Sequence, residues 1–166
     1  MEGIITPIFI CLNHRRMNQH SGQSGIIRNL LFSNITAKAE GIIPTLIAGT
    51  PTGRITDITL RDITVEHAGG EKAMTKSLPE NLKGYPENRM YGKENPAGGL
   101  YIRHADNILI ENFHIRQRNT DERPSIFLDD ATDIHIEKLQ STGSIAKKMI
   151  EHSKCSNTTI DGRVVK

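Results

Sequence analysis

The stretch NILIENF, from Asn107 to Phe113, decides the fold because its pattern recurs along the chain. Asn or Asp is followed by apolar residues one, three and six places later. Alternation with a period of two predicts a strand with one buried face. The other copies are NLLFSNI from Asn29, DITLRDI from Asp57, DIHIEKL from Asp133 and a degraded copy, NTTIDGR, from Asn157.

The polar residues of this pattern are predicted to lie at tight corners of the chain. Asn and Asp tolerate a left-handed backbone, which such corners require. We therefore expect a structural role for the opening residues Asn29, Asp57, Asn107, Asp133 and Asn157, and for Asn34, Asp62 and Asn112 five places later in the best copies.

The spacing of the copies predicts an all-β fold, a right-handed parallel β-helix of about five coils with long loop insertions. The last three copies are 26 and 24 residues apart, and the earlier gaps of 28 and 50 differ by insertions. Repeats of this length built from short strands indicate a solenoid. An antiparallel β-sandwich is the alternative, but it does not require the same polar residue at the same corner. We expect one β-helix domain over residues 1–166.

Composition excludes several classes of partner. The formal net charge is only +2, which gives no electrostatic reason to bind nucleic acid or an anionic membrane. Its apolar opening, MEGIITPIFICL, is too short to span a bilayer. We therefore expect neither nucleic acid nor a membrane as partner, and no motif predicts a cofactor.

Three insertions are predicted, over residues 13–25, 66–98 and 116–124. The longest contains YPENRMYGKENPAGG. Its tyrosines, with Arg89, fit a sugar platform, since a flat apolar ring beside polar groups suits a pyranose. The alternative is that the tyrosines only hold a long loop against the scaffold.

Three segments carry a resemblance: YPENRMYG (85–92), PAGGLYIRHADNILIEN (96–112) and DERPSIFLDDATDIHI (121–136). They resemble the C-terminal coils of the polygalacturonase-like glycoside hydrolases of family 28. The resemblance implies a right-handed parallel β-helix that acts on pectic polysaccharide or oligosaccharide with inversion, and a family whose members are usually secreted or periplasmic. The substrate contacts it suggests are Tyr85, Arg89, Tyr91, Arg103 and His104.

The catalytic signatures of that family lie in earlier coils, and this chain lacks Gly-His-Gly and Arg-Ile-Lys. We therefore expect no catalytic residue here, with the acid and base upstream and this chain as the C-terminal part of a longer solenoid. Its apolar first coil would be covered by upstream coils or by self-association. The alternative is a noncatalytic, truncated β-helix that binds polysaccharide or serves only as a scaffold.

The acids of RNTDERPSIFLDD, residues 118 to 130, do not fit inverting hydrolysis. That reaction needs two carboxyl groups about 6.5 to 9.5 Å apart. Asp121 and Asp129 flank one predicted strand, while the adjacent Asp129 and Asp130 should point to opposite faces. A structural role is the better interpretation.

Alignment of GLYIRHADN with SIFLDDATD on their shared corner places Arg103 beside Asp129 and Tyr101 beside Phe127 on the outer face. The first pair predicts a surface ion pair and the second an aromatic stack. Arg123, within Asp-x-Arg-Pro, is expected to shape the start of its strand.

The remaining reactive residues predict little chemistry. The seven histidines have no metal-ligand spacing, so no metal site is expected. Cys11 and Cys155 fall in the first and last predicted coils, too far apart for a disulfide. Both are predicted to be free thiols.

Overall fold

The computed structural model describes residues 2–13, 25–74, 77–81, 87–91 and 95–165. These residues form an all-β structure with a mostly parallel sheet. Its strands are β1 (Phe9–Cys11), β2 (Ile27–Lys38), β3 (Thr45–Ala48), β4 (Ile55–Gly69), β5 (Leu100–Asp121), β6 (Ile126–Glu137), β7 (Gln140–Ser144), β8 (Ile150–Ser153), β9 (Ser156–Ile160) and β10 (Arg163–Val164). Within the described residues, no helix is long and apolar enough to cross a membrane.

Parallel pairing joins strands that lie far apart in the sequence. One path runs β1-β3-β5-β6-β9-β10, while β2 pairs with β4, and β4 with β5. The strands β7 and β8 pair with β5 and β6. The short β10 pairs antiparallel with β9 at the end of the path.

The register aligns the five copies of the repeated pattern. Ile108 pairs with Ile58 on one side and with Ile134 on the other. Leu30 pairs with Ile58, and Thr158 with Ile134, in the outer copies. Equivalent positions therefore form a continuous column, as the repeat predicts, which is apolar from Leu30 to Ile134 and ends at Thr158.

The polar residues of the pattern adopt a left-handed backbone. Their φ angles lie between 49° and 60° at the opening positions, and Asn34, Asp62 and Asn112 have similar values. The long strands β2, β4 and β5 therefore bend at each of these positions instead of running straight. Left-handed residues that the sequence did not predict include His104 and Asp130.

Side chains of alternate residues enter two separate apolar clusters. Leu100 and Ile102 belong to the main core, whereas Tyr101 between them lies in a second cluster with Leu46 and Phe127. Leu78 and Ala97 of the long segment between β4 and β5 cover this second cluster. The outward face at the start of β5, around Tyr101, is therefore buried under that segment.

Two predicted insertions are shorter than expected. Residues 66–69 continue β4, and residues 116–121 continue β5, so both stretches are paired strand and not loop. Most of the predicted 13–25 insertion lies outside the described residues. Cys11 and Cys155 are free thiols, as predicted.

Candidate functional site

The long segment meets β5 at Arg103. The Arg103 side chain is only 3% exposed, and its Nη2 atom contacts Glu80 Oε1. The guanidinium carbon also lies 5.7 Å from the centroid of the Tyr91 ring. Two parts of the segment therefore converge on one buried cation.

The next residue, His104, lies between two carboxylates. Its Nδ1 is 2.6 Å from Asp130 Oδ2, and its Nε2 is 2.8 Å from Glu80 Oε1. A φ of 46° turns the chain at His104, so Arg103 and His104 reach the same segment although they are adjacent in a strand. Each ring nitrogen therefore has a carboxylate oxygen within hydrogen-bond distance.

Asp130 continues the chain of contacts to Arg54. The Arg54 Nη1 donates to Asp130 Oδ2 at 2.9 Å, and its Nε and Nη2 donate to the two oxygens of Asp106 at 2.5 and 2.8 Å. The bidentate geometry is the strong form of an arginine–carboxylate pair. Arg54, which precedes β4, therefore fixes the corners of β5 and β6.

Asp129 contacts Tyr101 and Arg103 of β5, which lie under the long segment. Its Oδ2 accepts a hydrogen bond from the Tyr101 hydroxyl at 3.1 Å and lies 3.9 Å from Arg103 Nη2. The predicted register of Arg103 with Asp129 is confirmed. The prediction of a surface ion pair is wrong, because both side chains are buried and Glu80 is the closer partner of Arg103.

These contacts form one continuous set, which we call the charged network. It joins strand corners to the long segment and contains both signs of charge. Its members are Arg54, Glu80, Arg103, His104, Asp106, Asp129 and Asp130.

Burial and hydrogen bonding shift the pKa values of groups within and beside the charged network. Burial raises the pKa of Asp130, but hydrogen bonds from His104 and Arg54 outweigh it, and the pKa is lowered overall. Burial holds the pKa values of Tyr91 and Tyr101 above their usual range, so both phenols keep their protons. Burial also raises the pKa of the Cys11 thiol to about 11. These groups can donate hydrogen bonds but are poor nucleophiles at neutral pH.

A second ion pair lies apart from the network, at the start of β6. Arg123 Nε and Nη2 donate to the two oxygens of Asp121 at 3.0 and 2.9 Å, and Arg123 Nη1 donates to the Ile42 carbonyl at 3.1 Å. Arg123 is 1% exposed and Asp121 is fully buried. This pair is sealed in the interior, and its geometry fits the structural role expected of Arg123.

The suggested substrate contacts are only partly brought together. Tyr91, Arg103 and His104 converge on the segment around Glu80, whereas Arg89 is exposed in a turn. Tyr85 lies outside the described residues. Arg103 and His104 are 3% and 6% exposed, so Glu80 and Asp130 form the outward edge of the site.

The predicted aromatic pair is present but not stacked. The Tyr101 and Phe127 ring centroids are 5.9 Å apart, with an angle of 59° between the ring planes. The prediction that Asp129 and Asp130 diverge to opposite faces also needs correction. A φ of 50° at Asp130 turns the chain, so both carboxylates join the charged network.

Sequence reasoning missed Glu80, Arg54 and Asp106. The alignment that paired Arg103 with Asp129 also set His104 beside Asp130, so this contact was available from the sequence. Glu80 lies in a segment without a repeat, and no pattern indicated its position. No group of three metal-ligating side chains with suitable geometry occurs in the described ranges.

The arrangement holds the long segment against the sheet and presents carboxylate oxygens at its edge. The His104 ring separates the carboxylates of Glu80 and Asp130, whereas inverting hydrolysis needs a water molecule between its acid and base.

Comparison of the chain with protein-family models, curated proteins and solved structures finds no match.

Proposed function

We propose that this chain is the C-terminal segment of a polygalacturonase-like, pectin-type glycoside hydrolase. In this proposal it supplies scaffold and substrate contacts, while the acid and base lie upstream of it. The observation that carries the proposal is the convergence of Tyr91, Arg103 and His104 around Glu80. These residues come from two of the segments on which the resemblance rests.

The finer architecture in this proposal is a right-handed parallel β-helix. Parallel pairing of every copy with the next, and corners at equivalent Asn and Asp residues, support it. An experimental crystal structure of the chain tests the hand of the coils, which defines such a solenoid. Left-handed coils, or strands that close into a sandwich, would exclude it.

The absence of catalysis in the isolated chain is part of the proposal. Asp121 is sealed against Arg123, and Asp129 is buried under the long segment. We expect no release of reducing ends from polygalacturonate or rhamnogalacturonan. Turnover that disappears in Asp129→Ala would refute this, with Arg61→Ala as a control because Arg61 pairs outside the network with Glu111.

A noncatalytic module that only binds polysaccharide is the second candidate. The charged network favours it, because each carboxylate of the network already contacts a cation and is engaged in a structural pair. The two candidates differ in the upstream sequence. An in-frame Gly-His-Gly and Arg-Ile-Lys upstream would support the hydrolase segment, and their absence from the full-length protein would support the module.

Self-association or upstream coils at the β2 edge are also proposed. Ile26 and Leu31 are 76% and 62% exposed there, and β2 pairs only with β4 among the described strands. Unpaired apolar edges favour further strand pairing. Light scattering of the chain and of Leu31→Lys tests this, since a monomer at all concentrations in both would contradict self-association.

A further inference from the structure

The hydrogen bonds from Asn corners to Asp corners of the described strands all run in one direction. Asn107 donates to Asp57 at 2.7 Å, and Asn112 donates to Asp62 at 2.6 Å, in both cases from β5 to β4. The bond from Asn157 runs in the same way, from β9 to β6. An Asn corner therefore donates to the coil that precedes its own in the chain.

Asn29 and Asn34 are the corners of β2, which is the first strand of this stack. Both side chains are exposed, and neither forms a hydrogen bond within the described part of the chain. The carboxylates beside them on β4 already accept from β5, at Asp57 Oδ1 and Asp62 Oδ1. By the direction of the ladder, the acceptors for these two amides belong to a coil before β2.

The apolar residues at this edge also lack the cover that the other coils have. Leu30 is 36% exposed, whereas Ile58 and Ile108 in the same column are 1% and 0% exposed. Leu30 and Phe32 line an open cavity together with Phe9 of β1. Unpaired edges of this kind favour the addition of a strand. An occupant has to cover β1 and β2 together, as a complete coil does.

The charge of β2 favours an acidic occupant. Its sequence, IRNLLFSNITAK, contains Arg28 and Lys38 and no acidic residue. On its paired side, the register places Glu66 of β4 beside Lys38, and opposite charges on neighbouring strands stabilise a pair. Glu2 and Glu66 already share a groove with Lys38, so Arg28 is the cation that an occupant would meet near the Asn29 corner.

We propose that the open edge of β2 binds a preceding coil of the same repeat that carries Asp at both corner positions, five residues apart. Among the copies in this chain, only DITLRDI from Asp57 has Asp at both positions. The inference rests on the proposed function, because its occupant is one of the upstream coils of that proposal. It adds the chemistry by which β2 recognises that coil.

The test measures, by fluorescence polarisation, the binding of two labelled peptides to the 166-residue chain. The first is ITDITLRDITVE, residues 55–66, which has both Asp corners and pairs in parallel with β2 in the structure. The second carries Asp57→Asn and Asp62→Asn. We expect the Asp peptide to bind at least about tenfold more tightly, the size of effect given by a hydrogen bond to a charged acceptor.

The matched protein variant is Asn29→Gly with Asn34→Gly, which removes both amides and keeps the left-handed backbone. Its preference for the Asp peptide should be lost. Hydrogen exchange should show that the wild-type chain gains protection in β2 when the Asp peptide binds. Circular dichroism establishes whether the variant is folded, and if it is not, the wild-type ratio alone decides.

Equal binding of the two peptides, or a preference that persists in the glycine variant, would overturn the inference and leave the proposed function standing. Binding of neither peptide would do the same. A dimer joined through β2 that neither peptide dissociates would make a second copy the occupant and would also overturn it. Absence of any upstream coil from the full-length protein would overturn both the inference and the proposed function.

Discussion

The Asn107 carboxamide donates a hydrogen bond to Asp57 Oδ1 at 2.7 Å, between residues 50 positions apart in the chain. Asn157 makes the equivalent bond to Asp133. Along the stacked copies these corners alternate as Asn29, Asp57, Asn107, Asp133 and Asn157. No two carboxylates are therefore adjacent in this column. Each Asn side chain can donate a hydrogen bond to an Asp carboxylate next to it.

We predict that Asn107→Ala destabilises the fold by about 1–2 kcal/mol, because Ala must adopt a left-handed backbone that Asn tolerates better. The φ of Asn107 is 54°. Urea unfolding measures the change. Asn107→Gly is the control, since glycine removes the hydrogen bond without the backbone strain. Equal losses in both variants would show that backbone conformation is not the cause.

Arg123→Ala should lower the free energy of unfolding by about 3–5 kcal/mol, which is more than the loss in Asn107→Ala. The reason is that it leaves the buried Asp121 carboxylate without its partner. Arg123 and Asp121 are 1% and 0% exposed. The unfolding midpoint in denaturant is the measurement. Lys72→Ala removes an exposed pair with Glu122 and serves as the control, for which no measurable change is expected. Similar midpoints for both variants would contradict the structural role of Arg123.

Stability should depend on His67 between about pH 6.5 and pH 4. Burial lowers the pKa of His67 from its usual 6.5 to about 4, and the Arg123 charge acts in the same direction. As pH falls through this window, the unfolded chain binds a proton that the folded chain does not. The contribution of His67 to the free energy of unfolding is therefore complete above pH 6.5. It decreases by about 3 kcal/mol as the pH falls to 4.

The measurement compares the free energy of unfolding of the wild type and of His67→Leu at a series of pH values. Carboxylates that titrate in the same window affect both proteins and cancel in the difference. A difference that stays constant from pH 7 to pH 4 would show that His67 is not held neutral by burial.

Cys11 should react slowly with alkylating reagents in the native protein. Burial raises the pKa of its thiol to about 11, so the thiolate fraction at pH 8 is only about one in a thousand. Mass spectrometry after timed exposure to iodoacetamide measures the rate. Rapid modification of Cys11, at the rate seen in the denatured chain, would contradict this environment.

The parts of the structure that follow from the repeat were predictable from the sequence. Register came from aligning two copies on Asn107 and Asp133, which placed Arg103 beside Asp129 correctly. The burial of that pair was not predictable, because the covering segment has no repeat. Leu78 and Glu80 dock through individual contacts, and nothing in the sequence pattern marks them.

The insertion boundaries failed for a related reason. Residues 116–121, RQRNTD, are polar enough to suggest a loop, yet they continue β5. Arg118 pairs with Glu40 and Glu66, and Asn119 donates a hydrogen bond to the Ala68 carbonyl. Polar residues inside a strand are thus stabilised by partners from distant parts of the chain, which local composition does not reveal.

The central claim, that this chain binds pectic polysaccharide through the site around Glu80, is tested most directly by affinity electrophoresis in native gels containing pectic rhamnogalacturonan with its neutral side chains. We predict that the wild-type chain is retarded, that Tyr91→Phe is retarded equally, and that Tyr91→Ala loses most of the retardation because the ring against Arg103 is gone. Migration of the wild type unchanged by the polysaccharide, or equal retardation of Tyr91→Ala, would contradict the claim.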